Sequence, residues 1–86
     1  MIVKSKPAFD KAYAKLRKGE KERFKARIQL FLENRHHPLL HDHELHGKYV
    51  GYRSINIGGD LRAVYELVAP NTAVFVAIDT HTKLYD

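Results

Sequence analysis

The hydrophobic pattern of the chain changes its period once, and this change limits the folds open to it. Up to residue 34, apolar residues recur every three or four positions, as on one face of a helix. From residue 52 to residue 78 they alternate with polar residues or run continuously, as in β-strands. Helices followed by a block of strands predict an α+β fold, in which a helical layer packs on a mostly antiparallel sheet.

Two helices are predicted in the first part of the chain. The first begins at Pro7, a residue suited to a first helical turn, and Gly19 is expected to end it. The second covers residues 20–34. Since the connection between them is short, we expect an antiparallel helical hairpin. The apolar stripes that the two helices would bury consist of Phe9, Ala12, Tyr13, Leu16, Phe24, Ile28, Phe31 and Leu32.

The strands give the element order β-α-α-β-β-β. Residues 35–51 have no clear period and contain Pro38 and Gly47, so a long loop is expected there. The run at 73–78 is almost wholly apolar, which favours a central strand buried on both faces. Residues 80–86, THTKLYD, are expected to leave the sheet or to form a short last strand. The predicted strands are an edge strand at 1–5, then 52–57 with Ile55 and Ile57 on one face, then 61–68 after a Gly-Gly-Asp hairpin turn, then 73–78.

Length and composition exclude several classes of protein. Eighty-six residues predict a single domain over 1–86, and the absence of cysteine excludes disulfides and thiolate metal sites. No apolar run approaches the roughly 20 residues that a membrane-spanning helix needs. The first residues also lack the apolar core of a signal peptide. We therefore expect a cytoplasmic protein.

The positive charge is concentrated in the first part of the chain. Residues 1–36 carry 11 Lys and Arg against 4 Asp and Glu, whereas residues 37–86 carry 4 against 6. An excess of this kind favours nucleic acid or an acidic protein as a partner, although surplus lysine can also serve solubility alone. The residues of the predicted hairpin that we expect to contact RNA are Lys11, Lys15, Lys18, Lys21, Arg23, Lys25 and Arg27.

The chain contains six histidines, five of them between positions 36 and 46. A metal site could use His41, His43 and His46. However, no carboxylate-rich shell and no helical His-x-x-x-His pair accompanies them, and structural zinc sites usually have four ligands. We therefore predict no metal and no other cofactor.

A second hypothesis assigns scattered polar residues to RNA cleavage. That reaction needs a base for the 2′-OH proton, an acid for the 5′-leaving oxygen and a cation for the phosphate. Histidine serves either proton role near neutral pH, arginine binds two phosphate oxygens, and an aromatic ring stacks on an unpaired base. The candidates are His43, Asp60, Arg62, His81 and Tyr85.

Each of these residues also has a purely structural interpretation. Asp60 beside two glycines is a common turn former, and Arg62 could pair with Glu66. His81 could cap a strand end, and Tyr85 could pack on the sheet. Spacing alone does not choose between the two interpretations.

Two segments, DHELHGKYVGYRSINIGGDLRAVYEL (42–67) and AVFVAIDTHTKLYD (73–86), resemble the RelE/ParE toxin superfamily and, within it, YafQ-type mRNA interferases. The shared pattern is a histidine followed by Leu-x-Gly, then Gly-Tyr-Arg, Asp-x-Arg-x-x-Tyr and Thr-His-x-x-Leu-aromatic. The resemblance covers a little over half of the chain. It implies a RelE-like fold and a ribosome-dependent endoribonuclease, the toxin of a type II toxin–antitoxin pair. The implied partners are an antitoxin, the ribosome and mRNA.

The resemblance also implies roles for individual residues. By this resemblance, active-site positions of the family correspond to His43, Asp60 and His81. Arg62 corresponds to an arginine that binds the scissile phosphate, and Tyr85 corresponds to an aromatic residue that places the substrate. It leaves the base open between Asp60 and His43, because Asn56 stands where YafQ-type toxins can carry another histidine. Further RNA contacts are expected from His46, Lys48, Arg53 and Asn56.

Two other interpretations stay open. ParE-like toxins share the fold but poison DNA gyrase through protein contacts, and they generally lack this histidine set. A catalytically degenerate toxin would bind only its antitoxin and operator DNA, an interpretation that Asn56 permits.

Overall fold

The computed structural model describes residues 1–85, which form three α-helices and five β-strands. Two short 3-10 turns interrupt the segment between the second helix and the third strand. Within residues 1–85, no helix is long and apolar enough to cross a membrane. The elements are β1 (Ile2–Ser5), α1 (Pro7–Ala14), α2 (Lys18–Glu33), a 3-10 turn (Pro38–Leu40), β2 (His43–Glu44), a 3-10 turn (Gly47–Tyr49), β3 (Arg53–Gly58), β4 (Leu61–Ala69), β5 (Thr72–Thr80) and α3 (His81–Tyr85).

The five strands form one sheet in the order β1-β5-β4-β3-β2. The β1–β5 pair is parallel and the other pairs are antiparallel, so the predicted mostly antiparallel sheet and the edge position of β1 are confirmed. The prediction that β5 is central and buried on both faces is wrong. The central strand is β4, and Val74 and Val76 of β5 are only half-buried because the helical layer covers the other face.

The core lies between α1, α2 and one face of the sheet. Ile55 and Ile57 of β3 point into it, as predicted, and Phe31 of α2 packs edge-on against Tyr65 of β4, with ring centroids 5.0 Å apart. Leu32, by contrast, is 42% exposed, because the next position along a helix turns about 100° away from the face that holds Phe31. The buried members of this core are Phe9, Phe31, Leu40, Ile55, Ile57, Leu61, Ala63, Tyr65, Ala73, Phe75 and Ile78.

The predicted helical hairpin is present, but Gly19 does not end its first helix. That helix ends at Ala14, and Gly19 lies in the first turn of α2. The second helix starts early because the backbone N–H of Arg17 donates to the Glu20 carboxylate, at 2.9 Å, which caps its first turn. Gly19 therefore belongs to the start of α2 and does not mark the end of α1.

The segment expected to be a long loop is partly ordered. Its two-residue strand β2 pairs with β3 and forms the second edge of the sheet. At the other end of the chain, residues 81–85 leave the sheet, one of the two expected outcomes, as helix α3; Asp86 lies outside the described residues. Leu84 of α3 packs with Leu45 and Val64 in a second, smaller core. Val64 alternates with the core residues Ala63 and Tyr65 along β4, so this second core lies on the face opposite α1 and α2.

Candidate functional site

The predicted active-site residues that lie on strands share one face of the sheet. Residues directly opposite each other on antiparallel strands point to the same side. His43 is opposite Ser54, which in turn is opposite Val64, and Arg62 is opposite Asn56. Because Arg62 and Val64 are two positions apart on β4, they also share a face. His43 and Arg62 therefore lie on the side of the sheet that carries α3, away from the helical hairpin.

His81 and Tyr85 lie at the two ends of α3, one helical turn apart. The backbone N–H of His81 donates to the carbonyl of Asp60, at 2.8 Å, which joins the start of α3 to the β3–β4 turn. The His81 and Tyr85 rings meet edge to face, with centroids 4.7 Å apart. The Tyr85 hydroxyl donates to Oγ of Ser54, at 2.9 Å, and Ser54 is fully buried. The tyrosine hydroxyl thus bonds to the sheet, while its ring contacts the histidine.

Arg62 is held beside the β3–β4 turn by three oxygen atoms. Its Nη1 donates to Oδ1 of Asn56 at 3.1 Å, to the Gly59 carbonyl at 2.9 Å and to the Leu61 carbonyl at 3.1 Å. Oδ1 of Asn56 also accepts the N–H of Gly58, at 2.9 Å. Nε and Nη2 of Arg62 make no hydrogen bond within residues 1–85, and the side chain is only partly buried.

His43 has a defined orientation. Its Nδ1 lies 2.7 Å from the backbone carbonyl of His41, and His41 itself has the left-handed backbone angle φ = +47°. A carbonyl oxygen can only accept, so this bond places the proton on Nδ1. In the neutral imidazole, Nε2 is then the proton acceptor.

A buried ionic network lies directly before His43 in the chain, and sequence reasoning missed it. The carboxylate of Asp42 is 1% exposed and accepts from Nε of Arg53 at 2.6 Å, from Nη1 of Arg35 at 3.3 Å and from the Tyr65 hydroxyl. Burial, together with the hydrogen bond to Asp42, raises the pKa of Tyr65 above its ordinary value. Arg53 is a predicted RNA contact, but its Nε is thus bound to Asp42 within the protein. Nη1 of Arg53 lies 3.5 Å from the Glu44 carboxylate.

The remaining predicted RNA contacts divide between the two faces of the sheet. His46 and Lys48 are exposed and line a shallow cavity of about 320 Å³ together with Tyr49 and Tyr85. The basic residues of the hairpin belong to the layer on the opposite face of the sheet, and two of them, Lys11 and Lys15, line a cavity together with Lys83 of α3. Two of them have contacts of their own: Nη1 of Arg27 donates to the Leu39 carbonyl at 2.6 Å, and the Arg23 side chain lies across Gly58 at the β3–β4 turn. The others in this set are Lys11, Lys15, Lys18, Lys21 and Lys25.

The histidine-rich segment does not converge on a common point. The His41 and His43 rings lie 4.9 Å apart. Within residues 1–85, however, no three His, Asp or Glu side chains are grouped as metal ligands. His46, the third member of the metal hypothesis, therefore does not join the other two.

Comparison with solved structures places the fold among bacterial toxins. YafQ from Escherichia coli strain BL21(DE3) superimposes with a TM-score of 0.80 at 19% identity, over 98% of this chain and 97% of that chain. YafQ in the E. coli DinJ–YafQ toxin–antitoxin complex gives 0.77 at 20% identity, over 98% and 96%. A YoeB/ParE toxin from Agrobacterium tumefaciens gives 0.76 at 18% identity, over 94% and 99%. These matches confirm the predicted RelE-like α+β fold.

Membership of a family rests on the sequence of the whole chain. No curated protein matches it. The family model described as "Bacterial toxin of type II toxin-antitoxin system, YafQ" matches residues 1–86, well beyond the two segments that carried the resemblance. The chain therefore belongs to the YafQ family of bacterial type II toxins.

Proposed function

We propose that this toxin is a ribosome-dependent endoribonuclease that cleaves mRNA by acid–base chemistry in the cytoplasm. The observation that supports this most directly is the common face of the sheet. His43, Arg62, His81 and Tyr85 belong to that face or to the helix packed on it. These are the groups that phosphodiester cleavage needs: two proton carriers, a cation and an aromatic platform.

The orientation of His43 favours it over Asp60 as the base. Nε2 of His43 takes the proton of the 2′-OH, and the 2′-oxygen attacks phosphorus. As the bond from phosphorus to the 5′-oxygen breaks, His81 donates its proton to that oxygen. The products are a 2′,3′-cyclic phosphate and a 5′-hydroxyl, and the scheme requires no metal ion. In this scheme Asp60 acts through its backbone carbonyl, which holds the N–H of His81.

Arg62 and Tyr85 support the same step. The free edge of the Arg62 guanidinium binds the phosphate oxygens as negative charge grows on them. The Tyr85 ring, supported by its hydroxyl bond to Ser54, stacks on the nucleotide base. His46 and Lys48, beside Tyr85, contact the neighbouring RNA backbone.

The partners that we propose are the ribosome and an antitoxin. The exposed lysines of α1 and α2 contact ribosomal RNA, an interaction that weakens steeply with salt. E. coli YafQ forms a complex with its antitoxin DinJ. We propose that the present toxin is likewise neutralised by a cognate antitoxin with an acidic segment that folds on binding, in keeping with its net charge of +5.

The acid assignment is tested by comparing His81→Ala with the parent protein for codon-dependent cuts in mRNA on translating ribosomes. We expect the cuts to disappear in the variant. His36→Ala, which removes an exposed histidine from the loop after α2, is the matched control and should cut like the parent. Equal cutting by the parent and His81→Ala would refute the assignment.

Antitoxin binding and gyrase supercoiling, measured on the same parent protein, separate the other two interpretations. A parent protein that binds its antitoxin but never cuts mRNA would be a degenerate toxin. Inhibition of gyrase supercoiling without mRNA cleavage would indicate ParE-like activity.

A further inference from the structure

The proposed base, His43, lies on a weakly held piece of backbone. Strand β2 consists of two residues, and β3 is its neighbour in the sheet. The preceding His41 has a positive φ, a conformation that L-residues other than glycine rarely adopt. Local preferences and the β2–β3 pairing therefore do not by themselves explain why the His41 carbonyl meets Nδ1 of His43.

The residue between these two histidines is Asp42, and its side chain is fixed from three directions. Arg35 reaches it from the loop after α2, Arg53 from β3 and Tyr65 from the central strand β4. A buried carboxylate is strongly destabilising unless it is paired and hydrogen-bonded, and here two guanidinium groups and a phenol satisfy it. The network thus ties the Asp42 backbone to the rigid centre of the sheet.

We propose that Asp42 is a positioning residue for His43. Anchored by Arg53, Arg35 and Tyr65, it holds the His41 carbonyl against Nδ1 and so presents Nε2 of His43 to the 2′-OH of the RNA. The proposal rests on the proposed function in assigning the base to His43. It adds that the tautomer and place of that base are set by a buried carboxylate one residue away.

The decisive variant is Asp42→Asn, which keeps the size of the side chain and removes its charge. An amide cannot balance two partly buried guanidinium groups, so the 41–43 segment should shift relative to the sheet. A displacement of about 1 Å in a catalytic group can lower the rate by roughly 100-fold, and we expect a fall of that order in kcat with a smaller change in KM.

The matched control is Glu44→Gln. It makes the same change of charge two positions away and removes another carboxylate near Arg53, but Glu44 is 76% exposed. Exposed ion pairs contribute little, so this variant should cleave like the parent.

A second readout does not depend on cleavage. Nitrogen-15 NMR of the His43 ring reports which nitrogen carries the proton. In the parent we expect the proton on Nδ1, and in Asp42→Asn a mixture of both tautomers. Should the parent fail to cleave RNA, the proposed function would fall, while this spectrum would still decide whether Asp42 positions the ring.

Folding of the variant is checked by circular dichroism. If Asp42→Asn does not fold, Tyr65→Phe replaces it, because it removes one donor to Asp42 and keeps the aromatic ring in the core. It should move the tautomer balance and kcat in the same direction by a smaller amount. A folded variant with the parent's His43 tautomer, or with an altered tautomer but the parent's kcat, would overturn the proposal.

Discussion

The hydroxyl group of Tyr85 offers a direct test of how this site is built. It donates to Ser54 inside the protein, whereas the ring faces His81. If the substrate contacts only the ring of Tyr85, the Tyr85→Phe variant should keep most of its mRNA cleavage activity and lose stability. If the hydroxyl takes part in the chemistry, the same variant should lose cleavage.

The size of the stability change follows from the burial of the two partners. Ser54 is 0% exposed, so Tyr85→Phe leaves a buried hydroxyl without its donor, which costs about 1–3 kcal/mol. Ser54→Ala leaves the half-buried Tyr85 hydroxyl, which can reach water, and should cost only about 1 kcal/mol. The double variant removes both groups, so its loss should be smaller than the sum, with a coupling energy of about 1 kcal/mol.

Urea unfolding of the parent, the two single variants and the double variant measures this cycle, and ribosome-dependent cleavage is assayed on the same four proteins. Tyr49→Phe is the matched control, since its ring neighbours Tyr85 and its hydroxyl makes no hydrogen bond within residues 1–85. It should change the free energy of unfolding by less than about 0.5 kcal/mol. Loss of cleavage in Tyr85→Phe with unchanged stability would show that the hydroxyl acts on the substrate.

Two further predictions concern the core and its pH dependence. Phe31→Ala should lower the free energy of unfolding by about 3–5 kcal/mol, because the Phe31 ring is fully buried between Tyr65 and Phe75. Leu32→Ala, on the exposed side of the same helix, should change the free energy of unfolding little. Urea unfolding measures both variants. Because burial raises the pKa of Tyr65, the folded state keeps a proton that the unfolded state loses above about pH 10, so stability should fall as the pH rises through that range. Tyr65→Phe should show a shallower fall in unfolding experiments between about pH 9 and pH 11, and an equal slope in both proteins would contradict the assignment.

Local sequence patterns predicted the parts of the fold that depend on local order. The helical hairpin, the hairpin turn at 58–60 and the inward face of Ile55 and Ile57 all follow from periods that span a few residues. Strand order does not. A continuous apolar run made β5 appear central, but only β1 lies beyond β5 on one side, whereas β3 and β2 both lie beyond β4, so β4 takes the central place.

The Asp42 network shows why part of the candidate site was missed. Its partners lie 7, 11 and 23 residues away from Asp42, so no local period connects them. In the sequence, Asp42 is one acidic residue among histidines, with no sign that it is buried. The chemistry of RNA cleavage suggests the five catalytic candidates, and the family resemblance favours them over their structural interpretations. The common face of His43 and Arg62 follows from strand register, which the sequence did not specify.

Asn56 illustrates how closely that register and the site depend on each other. Along β4, core residues alternate with Arg62 and Val64, so a one-residue slip against β3 would turn Arg62 into the core. Oδ1 of Asn56 binds the N–H of Gly58 and Nη1 of Arg62, one partner on each side of the turn, and so disfavours such a slip. A histidine at this position could not accept both donors on a single oxygen. At the position where YafQ-type toxins can carry another histidine, this chain thus has a group that fixes the arginine, and the mechanism that we propose assigns the acid–base work to His43 and His81.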